Sequence, residues 1–314
     1  MANVIGFLQS AGDDKFVAPF KEGLDDGGLT NATLDVKLGG NYGSNIKNNA
    51  EQIKSANGAN LKLVVAGGTF AGLRAVEVWP TGLPLLVVSG RKRTEFDNRS
   101  NTGGYVLENT TPPSMNSTRV KLLKDVYGIA NPQVCLLYNQ NSAMSAAEVA
   151  DWTTNINQMT YNAASAQGVP TGPQLANEEI DIQKSVRRAA DKINGSGALV
   201  VSSDPFFTQS RRKILKAAAD LNDIVMCYPI FDYLMALGEK RRTVILGPLL
   251  EEVYYNLGKQ AAAIIKDGQP VQTMIRANPY YFGKQPTTPS LESTLSQFGQ
   301  VAEHWTRRVK ESAH

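Results

Sequence analysis

Little in the chain suits nucleophilic, acid–base or metal chemistry. Its two histidines, His304 and His314, both fall in the last eleven of 314 residues. The body of the chain therefore offers no imidazole to a Ser-His-Asp or Cys-His arrangement. The two cysteines, Cys135 and Cys227, sit inside apolar strand-like runs and read as buried thiols. No Cys-x-x-Cys or histidine-rich spacing is present for a metal. A phosphate loop, a Gly-x-Gly-x-x-Gly turn after the first strand and a Gly-x-Ser-x-Gly elbow are all missing. The sequence predicts no catalytic residue, no metal and no cofactor, and hence a protein that is not an enzyme. What remains is recognition by hydrogen bonds and charge.

Six short polar segments could do that, each following a run that reads as a buried strand. In doubly wound sheets ligands bind beyond the carboxyl ends of the strands, near helix N-termini. The first segment runs from Gln9 and Ser10 to Asp13 and Asp14, where an aspartate is either a ligand contact or a helix N-cap. The second is Gly67-Gly68-Thr69-Phe70. Its glycines allow close backbone approach, and its helix-start amides favour an anion; a tight turn with a Thr cap is the alternative. Phe70 is placed for an aromatic wall or for the core.

The third segment is Ser89-Gly90-Arg91-Lys92-Arg93, where Arg91 is the candidate partner for a carboxylate and a solvated basic run is the plainer reading. Asn139, Asn141 and Ser142 offer neutral donors and acceptors after a later strand. Asp204 could meet an ammonium group or cap the next helix. Phe231, in the stretch from Tyr228 to Asp232, completes the set.

These loops need a scaffold, and the sequence outlines one. Apolar residues make up 42% and charged residues 19%, the composition of a globular chain. Buried runs at Val4–Leu8, Leu61–Ala66 and Leu83–Val88 alternate with helical spacing at 16–24, 46–53 and 69–78. The texture turns to Thr, Pro, Ser and Asn at 110–117, and the alternation then restarts with strands at 134–138, 198–202, 224–229 and 243–246. That pattern predicts an α/β protein of two doubly wound, Rossmann-like lobes with parallel sheets covered on both faces. The tail 290–314 carries Leu291, Leu295, Phe298, Val301 and Trp305 at helical spacing and reads as an amphipathic helix that docks on its own lobe or on a second copy.

Charge excludes one class of partner. Thirty-two basic against 29 acidic residues leave a net charge of +3, too balanced for a nucleic-acid binder. No run of about 18 apolar residues is present to insert in a membrane.

Read in order, FVAPFKEGLDDGG (16–28), VVAGGTFA (64–71), GGYVLENTTPPS (103–114), RVKLLK (119–124), VCLLYN (134–139), SDPFF (203–207), Gly247-Pro248 and AAAIIKDGQP (261–270) resemble the ABC-transporter substrate-binding family that includes tryptophan and other aromatic amino acid binders. The resemblance spans about residues 3–276 and rests on motif order rather than on any one motif. It implies the type I periplasmic binding protein architecture, with a three-strand hinge crossed near 113, 242 and 270. The N-terminal lobe would comprise 1–113 plus 243–270, and the C-terminal lobe 114–242 plus 271–314.

The implied function is to close a cleft on an amino acid or small organic acid and deliver it to a membrane permease with a partner ATPase. A trimmed export signal places such a chain in the periplasm; a native start at Met1 places it in the cytoplasm. The segment after Gly90 is basic where the family carries an Asp-Pro-type loop, so ligand identity is not carried over. The ending past Ala277 also diverges. The lac-repressor class shares the architecture, but no helix-turn-helix precedes Val4. The alternatives are a cytoplasmic ligand-sensing module and an isomerase-type enzyme using Asp13 and Asp204.

Overall fold

In a computed structural model the described residues are 3–10, 14–39, 43–107, 115–129, 134–139, 149–150, 167–171, 183–184, 186–188, 190–191, 197–202, 207, 217–218, 220–230 and 242–282. Along the chain they form β1 (Asn3–Gln9), α1 (Val17–Asp26), β2 (Ala32–Leu38), α2 (Gly43–Asn57), β3 (Leu61–Gly67), α3 (Thr69–Val78), β4 (Leu85–Ser89), α4 (Thr94–Asp97) and β5 (Thr102–Val106). There follow α5 (Met115–Tyr127), β6 (Val134–Asn139), β7 (Gln167–Thr171), β8 (Ala198–Val201), β9 (Val225–Tyr228), β10 (Thr243–Pro248), α6 (Leu250–Asp267), β11 (Ile275–Arg276) and β12 (Pro279–Phe282).

The chain divides into two units, Met1–Glu108 with Leu250–Ala277 and Asn109–Leu249 with Asn278–His314. It passes between them three times, after residues 108, 249 and 277. Residues 243–270, expected to lie together in the N-terminal lobe, are split. β10 pairs with β9 and β12 in the second sheet, and only Leu250 onward joins the first unit. The run TVILGP has the composition of any buried strand, and its periodicity carries no mark of which sheet will accept it.

The first unit holds a six-stranded sheet in the order β11-β5-β4-β3-β1-β2, with every described pair parallel. Strands β1, β3 and β4 are buried almost throughout, as continuous apolar runs require when helices cover both faces. Leu8, Val64, Ala66 and Val87 pack against α2, α3 and Phe96 on one face. On the other, Phe7 meets Phe20 and Tyr254 at ring-centroid distances of 5.2 and 5.9 Å, joining β1 to α1 and α6.

Helices α1 and α6 meet along small residues. A Cβ on Gly258 would press on the Phe20 carbonyl and lie 2.8 Å from the Leu24 amide nitrogen, and one on Gly23 would press on the Tyr255 carbonyl. Backbone therefore lies against backbone at this crossing.

The second unit repeats the plan, with order β12-β10-β9-β8-β6-β7; β12 is antiparallel to β10 and the other described pairs are parallel. Leu136, Val200, Cys227, Val244 and Leu246 share one core with Leu122 and Leu123 of α5. Cys135 and Cys227 are both buried and form no disulfide. They lie on β6 and β9, the two strands flanking β8, and are registered with Leu199 and Val200 respectively. Two strand spacings put them about 10 Å apart on opposite faces, beyond the reach of a disulfide.

Candidate functional site

In the first unit the strand order reverses between β1 and β3, the switch point at whose carboxyl ends doubly wound sheets bind their ligands. Four polar side chains are buried there: Gln9, Ser10, Thr69 and Ser89. Buried polar groups need partners, and the partners show what each residue is for.

Ser10 ties β1 to the start of α3. Its amide donates to the Gly67 carbonyl at 2.8 Å, and its Oγ accepts from the Ala71 amide at 3.0 Å. That hydroxyl acts as an N-cap supplied from another strand. The local cap position is Gly68, whose φ of 97° and ψ of 149° suit only glycine and which has no side chain to cap with. The Gly68 amide is taken by the Val88 carbonyl at 2.9 Å, and the first intrahelical bond runs from Gly72 to Gly68. The Thr69 and Phe70 amides, ahead of that bond, have no intrahelical acceptor. They are the groups at this helix start that an anionic oxygen could meet.

Thr69 and Ser89 form a short relay. The Gly90 amide donates to Thr69 Oγ1 at 3.0 Å, Thr69 Oγ1 and Ser89 Oγ lie 3.1 Å apart, and Ser89 Oγ donates to the Arg91 carbonyl at 2.6 Å. The network shapes the loop that presents Arg91 and leaves the Thr69 hydroxyl engaged. Ser10→Ala, which removes the cap, is expected to lower unfolding stability by about 1 kcal/mol; a urea titration measures it, and an unchanged midpoint would contradict the capping role.

Gln9 points to the opposite sheet face. Its Oε1 accepts from the Tyr254 hydroxyl at 3.2 Å, and its Nε2 is buried with no hydrogen-bond partner among the described residues. Tyr254 in turn stacks on Phe16, centroids 4.5 Å apart. The sequence reading missed Tyr254, whose place in an amphipathic helix gave no local signal of a partner 245 residues away.

The basic run divides. Lys92 pairs with Asp97 at 3.5 Å and Arg93 with Glu95 at 2.7 Å. The Arg93 hydrogen bond holds the Glu95 carboxyl down at about 2, so that pair stays charged through the neutral range. Arg91 is half-buried at the end of the Thr69–Ser89 relay. Phe70 packs against the first core and lines, with Leu73 and Val76, a groove of about 830 Å³ along α3. Its ring thus belongs to that flank.

Ser10, Gly68 and Thr69 are brought together, and Gln9 adjoins them at the end of β1 with its side chain on the other face. Asn139 ends β6 in the second unit, opposite Thr171 of β7. Asp13, Asn141, Ser142, Asp204 and Phe231 lie outside the described residues. Among the described residues no group of three or more His, Cys, Asp or Glu is placed to hold a metal ion, and no helix is long and apolar enough to cross a membrane.

No family model matches the chain, and no curated protein matches it. Solved structures do. A conserved domain protein from Vibrio cholerae aligns at TM-score 0.65 and 15% identity over 98% of both chains. The ABC domain in complex with L-Trp from Streptococcus pneumonia aligns at 0.64 and 14% over 98% of both. The 5-methylthioribose transporter solute binding protein from Thermotoga lettingae, in complex with 5-methylthioribose, aligns at 0.62 and 12% over 99% of this chain and 97% of that one. Identities this low establish architecture alone: the chain has the two-lobed type I periplasmic-binding-protein fold.

Proposed function

We propose that this chain is a small-solute binding protein that takes an amino acid or small organic acid, does no covalent chemistry on it, and hands it to an ABC permease with its ATPase. The observation that carries the reading is the start of α3, where the Thr69 and Phe70 amides have no intrahelical acceptor beside the half-buried Arg91 loop. Those donors suit a carboxylate. In other proteins of this architecture, L-Trp and 5-methylthioribose are the bound molecules, which supports a small solute and leaves its class to experiment.

A thermal-shift screen of the purified chain against amino acids, small carboxylates, sugars and nucleosides tests this. A ligand at a hundred times its Kd should add about 2.7 kcal/mol to stability. A shift with amino acids or carboxylates supports the proposal, and a shift with sugars alone replaces the ligand class. No shift with any compound counts against solute binding. Arg91→Ala should weaken a carboxylate ligand about tenfold or more, the worth of a charge-assisted hydrogen bond. Unchanged affinity would remove Arg91 from the site.

A further inference from the structure

Arg119 is the largest fully buried side chain among the described residues, with none of its surface exposed. It stands in the second turn of α5. Its Nε and Nη2 donate to the Leu246 carbonyl at 3.1 and 2.6 Å, Nη2 also to the Pro229 carbonyl at 3.2 Å, and Nη1 to Asn116 Oδ1 at 2.7 Å. Pro229 directly follows β9, and Leu246 lies near the carboxyl end of β10. Except for Pro229, which touches Gly247 instead, each of these places is close to where the chain changes unit. Asn116 and Arg119 open the first helix after the crossing at 108, and Leu246 precedes the crossing at 249. Across the β10–β12 ladder, Leu246, Gly247 and Pro248 pair with Tyr281, Tyr280 and Pro279, the residues that follow the crossing at 277. The space is tight: a Cβ on Gly247 would overlap the Pro229 carbonyl.

A buried guanidinium is a poor means of gaining stability, since an apolar side chain of similar volume often does as well or better. What it supplies beyond packing is direction: a rigid planar fork of donors, charged at every ordinary pH. We propose that Arg119 is a positioning residue for the hinge, fixing where all three crossing segments join the second unit, so that motion between the units is confined to the short stretches outside its grip. This rests on the two-unit fold and on no ligand.

The test is made without ligand on the full chain, as Arg119→Met, which keeps length without donors, and Arg119→Lys. Spin labels go at Ala56→Cys and Leu221→Cys, exposed positions in different units; the native cysteines are buried and take no label. The distance distribution is expected to broaden in Arg119→Met and to recover in part in Arg119→Lys. In parallel, amide exchange at Leu246, Gly247, Tyr280 and Tyr281 should quicken about tenfold or more, as for loss of a charged hydrogen bond, while Leu136 and Val200 stay protected. An unchanged distribution width in a folded Arg119→Met variant overturns the proposal whatever the exchange shows. Protection lost evenly across the sheet, without broadening, leaves Arg119 a core residue only and also overturns it. If Arg119→Met does not fold, Asn116→Ala, which removes the Nη1 acceptor, is read by the same criteria.

Discussion

Replacing Gly258 with alanine should destabilise the first unit by about 3 kcal/mol, the upper end for overpacking. Alanine on its own would favour the helix by about 1 kcal/mol over glycine, so intrinsic propensity predicts the opposite sign. Packing decides it. The added methyl would press on the Phe20 carbonyl and the Leu24 amide, and neither is the end of a side chain that can rotate away. Relief requires α1 and α6 to separate. That would loosen Phe7 from Phe20 and Tyr254 and draw Tyr254 from Gln9. Gly23→Ala presses on the Tyr255 carbonyl at the same crossing, so the double variant should cost less than the sum of the two. Urea unfolding followed through Trp79, buried in the first core, measures this with Trp152 and Trp305 replaced by phenylalanine. An unshifted midpoint for Gly258→Ala would mean the two helices do not meet as described.

This seam also marks what the sequence could and could not convey. Val4–Leu8 and Leu61–Ala66 were legible as strands because a parallel sheet covered on both faces needs unbroken apolar runs, a local property. The covering helices were legible from their spacing. Strand β5 was not, because Gly103-Gly104 lacks any β-branched signal. Their reasons are remote: Gly104 adopts a φ of 115° against Val87, and Gly103 faces Gln272. Strand β7 was hidden in the same way by Gly168 and Pro170. Sheet membership of β10 depends on a partner strand, which no window on TVILGP contains.

The site divides along the same line. Ser10 and Thr69 were singled out as candidates because a topological rule points to the carboxyl ends of strands. What they do there, one capping a helix from another strand and the other in a relay with Ser89, needed the fold. Arg119 was read as one letter of a motif, since an arginine in a helix ordinarily lies at the surface. Its burial follows only from the carbonyls of Pro229 and Leu246, more than a hundred residues on.

Gly68→Ala should have the largest effect on the candidate site, lowering stability by about 3 kcal/mol and abolishing any ligand-induced thermal shift. Two costs combine. The backbone at φ 97°, ψ 149° lies where a Cβ is strongly disfavoured, and that Cβ would stand 2.6 Å from Ser10 Oγ and 2.9 Å from Ser10 Cβ. To escape, the chain must rotate at residue 68, which endangers the bond from its amide to Val88 and the bond from Gly72 to its carbonyl. The Ser10 cap on Ala71 would move with them, and the Thr69 and Phe70 amides would turn away from the candidate site. The two costs are separable, because Ser10→Ala removes the nearer clashing atom and leaves the dihedral problem intact. The double variant Ser10→Ala/Gly68→Ala should therefore remain close to Gly68→Ala in its urea midpoint and should bind no ligand. Recovery of stability in the double variant would show that the contact with Ser10, rather than the left-handed backbone, is what reserves position 68 for glycine.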